Sequence, residues 1–273
     1  MEKKRIIKCL AVLLLVCLLP GMTGCGGETP VETTPAETQA ATEPVIVDDR
    51  TWGQKAIQTY ADYAGIPYEA YPESFRNLME AQPEAMGFVL AYPYEHDKPH
   101  EIDMSEYADC DTVPLFIQWD KRWGYIEYGA DVAGITGCGP LSLSMVAYYL
   151  TRDEDMSPDK IIQFAIDEKY CVKGNGSAWT LISRGAEKLG LRAKELPLVE
   201  RRIRNELLAG NPVICVMGPG IFTSSGHFIV LTGYEDGMYR INDPNSIVRS
   251  GKLWSYEEFQ DQVRNLWAIS LPS

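Results

Sequence analysis

The ten residues Leu141–Leu150, LSLSMVAYYL, place apolar side chains on every face of a helix. A helix of that kind is buried all round, so the fold must be built around it. It is preceded by Gly137-Cys138-Gly139-Pro140. Proline is preorganised for the first helical position and needs no amide partner there, which puts Cys138 just before or at the helix N-terminus. Unpaired amides and the positive end of the helix dipole favour a thiolate at that spot, and flanking glycines leave the sulfur open. Two readings follow: an activated nucleophile, or a buried small apolar side chain, the commonest fate of a free cysteine. A base elsewhere in the chain decides between them.

Lys3, Lys4, Arg5 and Lys8 precede an apolar stretch from Cys9 to Leu19, too short for a permanent membrane span and laid out like an export signal. Its end, Gly21-Met22-Thr23-Gly24-Cys25, resembles a bacterial lipobox, with Met22 where leucine is more usual. Residues 1–24 are therefore expected to be a lipoprotein signal peptide and Cys25 the lipidated N-terminus; ordinary cleavage and secretion is the alternative. Residues 25–50 read as a disordered linker, rich in Thr, Glu, Pro, Ala and Val and free of aromatic residues. Such a tether has a root-mean-square span of about 25 to 30 Å. The expected address is the bacterial cell surface, anchored through Cys25 to the outer face of the cytoplasmic membrane.

The formal net charge is −13, and removal of the signal, with its four basic residues and Glu2, takes it to −16. That balance argues against nucleic acid as a partner. Of seven cysteines, Cys110, Cys138, Cys171 and Cys215 fall in the globular part. None has zinc spacing with another cysteine or a histidine. Cys215 lies in the apolar run Pro212–Met217 and reads as plain core; Cys110 and Cys171 are free to pair in an oxidising exterior or to stay apart.

Residues 51–110 read as an N-terminal helical extension, broken by Pro67, Pro72 and Pro83, with Phe75, Leu78, Met79, Phe88 and Val89 at helical spacings. It shows no convincing chemistry. His96 and His100 are spaced for a metal on a helix, but Pro99 between them argues for a loop and solvated histidines. Residues 111–273 form the main domain. Further helices are expected from Ser157-Pro158 to Tyr170, from Ser177 to Gly190 with Ile182, Ala186 and Leu189 on one face, and from Val199 to Ala209. The period then changes, and Pro212–Met217, His227–Tyr234 and Met238–Asp243 read as strands, followed by a helix over Leu253–Arg264 and a closing strand over Asn265–Leu271. The class is α+β, a helical half followed by an antiparallel sheet half.

The base is His227. It opens one strand, and a turn at Glu235-Asp236-Gly237 leads into a second strand ending at Asp243. An antiparallel hairpin folded there makes His227 and Asp243 neighbours. A carboxylate then holds one ring nitrogen and leaves the other for a thiol. Gln118, at the end of the apolar run Val113–Gln118, is either an amide donor for a developing oxyanion or an ordinary loop glutamine.

Gln118-Trp119-Asp120, Gly137-Cys138-Gly139-Pro140, Gly226–Leu231 and Asn242-Asp243-Pro244 resemble the successive motifs of the bacteriocin-processing, double-glycine-leader cysteine peptidases and their secreted relatives. The resemblance covers about residues 111 to 270. It implies a papain-like fold, with Cys138 as nucleophile, His227 as general base and acid, Asp243 as orienter and Gln118 as oxyanion donor. It implies no metal or organic cofactor and a peptide or protein as substrate. Two other readings stand beside a peptidase: a catalytically silent binding module for peptides or wall fragments, and a thiol amidase or acyltransferase acting on wall peptides. Trp119, Trp179 and Phe222 are candidates to line a cleft, with core packing the better reading of each.

Overall fold

A computed structural model describes residues 48–174 and 176–272. The expected signal peptide, Cys25 and nearly all of the expected linker lie outside the described residues. Residues 48–273 form one compact unit. Among the described residues, no helix is long and apolar enough to cross a membrane.

Three helices open the fold: α1 (Trp52–Ala64), α2 (Glu73–Ala81) and α3 (Met86–Glu95). The prolines act as expected, Pro72 at the N-cap of α2 and Pro83 at the start of a 3-10 turn ahead of α3. Ile57, Phe75, Met79, Phe88 and Val89 form a small core that also takes in Tyr125, whose ring stacks on Phe88 with centroids 4.4 Å apart. The extension thus shares its core with the main domain.

The apolar helix is α4 (Cys138–Thr151), with ten consecutive buried residues from Gly139 to Tyr148. It packs against α5 (Pro158–Asp167) and one face of a six-stranded antiparallel sheet. In chain order the strands are β1 (Arg192–Glu195), β2 (Val213–Met217), β3 (His227–Glu235), β4 (Met238–Asn242), β5 (Leu253–Trp254) and β6 (Val263–Ser270). Across the sheet they run β1-β6-β2-β3-β4-β5. Alternate residues divide between two cores, as the strand period of two requires. Ile214, Val216, Phe228, Val230, Trp267 and Ile269 join the α4 core. Val213, Cys215, Met217, Ile229, Leu231 and Leu266 join the other, against α6 (Glu200–Leu208) and Trp254. This is the expected α+β, papain-like architecture.

Two local expectations are corrected, and one strand stands where none was expected. Ser177 does not cap a helix; Gly176–Ser177 pairs with Cys171–Val172 in a small ribbon, and a π-turn over Leu181–Gly185 follows. Residues 253–264 are not one helix but β5, a single helical turn at Tyr256–Phe259, a 3-10 turn and the start of β6. Strand β1 is the charged run Arg192–Glu195, which carries no strand signal of its own and is held as an edge strand by β6. Cys110, Cys138, Cys171 and Cys215 are all free thiols, so Cys110 and Cys171 are not paired. Cys110 instead meets the Arg152 guanidinium, Nη1 to Sγ 2.5 Å.

The start of α4 tolerates no side chain at position 139. A Cβ there would lie 2.5 Å from Ser177 Oγ, which is itself bonded to Tyr128 Oη at 2.7 Å. Gly139→Ala is expected to destabilise the fold by about 1–3 kcal/mol through forced movement of the ribbon. Thermal melting checks this, with an unchanged midpoint as the contrary result.

Candidate active site

Cys138 is the first residue of α4, and the first intrahelical bond runs from Leu141 N to Gly137 O at 3.1 Å. Pro140 has no amide, so the Cys138 and Gly139 amides stand at the helix start without an intrahelical acceptor. Cys138 is partly exposed, whereas Cys215 is fully buried and its thiol is pushed up by that burial.

The β3–β4 hairpin turns where expected. Asp236 and Gly237 both take positive φ, 51° and 83°, the geometry that lets a two-residue turn follow the strand twist. The hairpin returns Asp243 to the His227 end of the sheet, where His227 Nε2 lies 2.7 Å from Asp243 Oδ1. Asp243 has no exposed surface and His227 is 7% exposed. Burial opposes the imidazolium, but the Asp243 charge and hydrogen bond, with the neighbouring Cys138 adding to them, outweigh it and hold His227 up at about 10. Burial likewise opposes the Asp243 carboxylate, and His227 and Arg249 overcome it, so its pKa is lowered. With Nε2 committed to Asp243, Nδ1 is the ring nitrogen left for the thiol.

Cys138 and His227 sit where two hollows meet. The larger, about 720 Å³, is walled by Gly176, Trp179, Gly218 and Arg264 among others. The smaller, about 420 Å³, is walled by Gln82, Gln118, Phe222 and Arg249 among others. Both share Ile135, Cys138, Ser225, Gly226 and His227. The pair therefore lies midway along a groove open on either side.

Gln118 is at the site, but its side-chain amide is engaged. Nε2 donates to Gly134 O at 3.0 Å and Ile135 O at 3.3 Å, bracing the segment that leads into Cys138, while Oε1 is buried without a partner. Of the aromatic candidates, Trp179 lines the larger hollow and is 46% exposed. Phe222 is mainly core, packed on Trp254 with centroids 4.8 Å apart. Trp119 donates through Nε1 to Asn245 O at 3.4 Å, beside the orienter. His96 caps the end of α3 and His100 follows in a loop, well apart in sequence and cavity from Cys138. Among the described residues, no three His, Cys, Asp or Glu side chains are grouped to hold a metal ion.

The chain matches the model of the Peptidase_C39 like family over residues 110–270, more than half its length. It belongs to that family. Two solved structures are similar to it. The peptidase domain of Streptococcus ComA, described as a bi-functional ABC transporter involved in a quorum sensing pathway, is 21% identical. That match covers 59% of this chain and 99% of that one, with a TM-score of 0.41. A putative C39-like peptidase from Bacillus anthracis is 16% identical over 59% of this chain and 96% of that one, with a TM-score of 0.38. No curated protein matches the chain.

Within this Peptidase_C39-like domain, sequence reasoning missed Arg249. Its Nε donates to Asp243 Oδ2 at 2.5 Å, completing a line from half-buried Arg249 through buried Asp243 to His227. The only signal is Ser246, which caps the one-turn helix Ile247–Ser250 and so aims Arg249 back at the carboxylate. Outside the matched residues, Gln82 and Glu84 also reach the site, contrary to the expectation that the extension carries no chemistry.

Proposed function

We propose that this protein is a cysteine peptidase that binds an extended peptide along the groove and cleaves it at Cys138. One observation carries the reading: an imidazole held by a buried carboxylate stands beside a cysteine at a helix start, midway along an open groove. A silent binding module has no use for that alignment. Cell-surface display through a lipid at Cys25 is part of the proposal.

Cys138 gives its proton to His227 as its sulfur attacks the scissile carbonyl carbon, forming a C–S bond while the carbonyl π pair moves onto the oxygen. The Cys138 amide stabilises the oxyanion, joined by Gln118 Nε2 if it exchanges its longer contact, with Ile135 O, for the oxyanion. Collapse breaks the C–N bond as imidazolium His227 gives its proton to the leaving amine. Water then attacks the thioester, His227 takes its proton, and the thiolate departs. No step calls for a cofactor.

Mass spectrometry of a peptide library incubated with the protein tests this. Products defined by one peptide bond, formed by the wild type and not by Cys138→Ala, are expected; an intact library, or cleavage only of wall amides, would contradict it.

Asp243 sets the pH range. Because His227 is raised from 6.5 to about 10, its imidazolium persists well above neutrality. Its contribution to folding is complete below 6.5 and is lost as pH rises through about 10. Asp243→Asn removes the charge that opposes burial. The alkaline limb of kcat/KM should then fall by at least about one pH unit, with a loss of roughly tenfold or more at neutral pH. Rate profiles of the two proteins check this; coincident alkaline limbs would contradict it.

A further inference from the structure

The segment carrying the orienter is not held by the peptidase domain alone. Glu84, at the corner between α2 and α3, accepts from Ser246 Oγ at 2.5 Å and from the Val248 amide at 3.0 Å. Gln82, in the same corner, donates through its side-chain amide to Asn245 O. All three contacts fall on the few residues that follow Asp243.

That segment sets the orienter in two ways. The Asn245 amide donates to Asp243 Oδ1 at 2.8 Å, the same oxygen that meets His227. Ser246 Oγ also accepts from the Arg249 amide at 3.0 Å, and Arg249 Nε grips Asp243 Oδ2. Glu84 therefore fixes the residue that caps the turn on which Arg249 is carried. Both bonds of Glu84 lie on parts of the chain that no local sequence signal connects to it.

We propose that Glu84 is a positioning residue for the reaction: through Ser246 and Val248 it holds the Asn245–Arg249 turn so that Asp243 is presented to His227. The helical extension is on this account a working part of the active site, and a peptidase domain cut at residue 110 would lack it. The proposal rests on the peptidase reading, and its test separates the two. The charged or titratable groups facing His227 are Asp243 and Cys138, with Arg249 behind Asp243 and Arg264 on the groove wall.

The experiment compares the full-length wild type with Glu84→Ala, Glu84→Gln and Glu80→Ala. Glu80 is the control: it belongs to the same extension and accepts from the Gly53 amide at 3.0 Å. Glu84→Ala is expected to lower kcat by about 10- to 100-fold with little change in KM, as a small misplacement of the catalytic groups does. Its alkaline limb should move down as Asp243 loosens from His227. Glu84→Gln keeps one acceptor oxygen and should lie between, while Glu80→Ala should match the wild type. Wild-type kcat and an unmoved limb in Glu84→Ala, or equal losses in Glu80→Ala, would overturn the proposal. If the wild type cleaves no peptide, the peptidase reading fails. The proposal is then read on NMR titration of His227, one of three histidines: a downward shift in Glu84→Ala supports it, and an unchanged titration overturns it.

Discussion

Cys138→Ala should abolish turnover, with a loss on the order of 10⁴ to 10⁶ in kcat, as removal of a nucleophile from a cooperating set does. Its fold should survive, because Cys138 is only partly buried and the side chain removed is one atom larger than the one that replaces it. Gly139 to Tyr148, behind it, keep their packing. The measurement is a cleavage assay alongside a thermal melt. Residual activity above about one per cent of wild type, in a folded protein, would remove Cys138 from the chemistry.

His227→Ala should cost nearly as much, roughly 10³ to 10⁵ in kcat/KM, since both proton transfers pass through this ring. It also leaves Asp243, with no exposed surface, without its imidazole partner. The carboxylate keeps Arg249 Nε and the Asn245 amide, so the fold should persist at a cost of about 1–3 kcal/mol. Whatever rate remains should lose the alkaline limb, because the group that titrates there is gone. A retained limb in this variant would assign that titration to another residue.

The candidate catalytic residues are legible in the sequence because each stands on a local signal. Cys138 is marked by glycines and a helix-start proline, His227 opens a β-branched run, and Asp243 ends its hairpin partner. Hairpin geometry then converts sequence spacing into proximity. The helix from Leu141 is legible for a related reason: only burial on all sides accommodates ten such residues.

What sequence reading misses depends on contacts between distant parts of the chain. Strand β1 is RAKE, three of its four residues exposed, and only pairing with β6 makes it a strand. Leu253, Trp254, Phe259 and Val263 imitate a helical stripe, yet they belong to two strands and the turn between them. Ser177 has the sequence context of a helix cap, but its hydroxyl bonds Tyr128 and its backbone pairs with Cys171. Glu84 and Gln82 act through backbone and hydroxyl groups near Asp243, and such bonds leave no periodicity to read.

The central claim is that His227 makes Cys138 a reactive nucleophile in an accessible groove. Its most direct test is the rate of iodoacetamide labelling at each cysteine of the folded protein, in the wild type and in His227→Ala. The account predicts that Cys138 is labelled at least about 100-fold faster than buried Cys215, and that removing His227 abolishes most of that advantage. Equal rates at the two cysteines, or a Cys138 rate indifferent to the loss of His227, would contradict it.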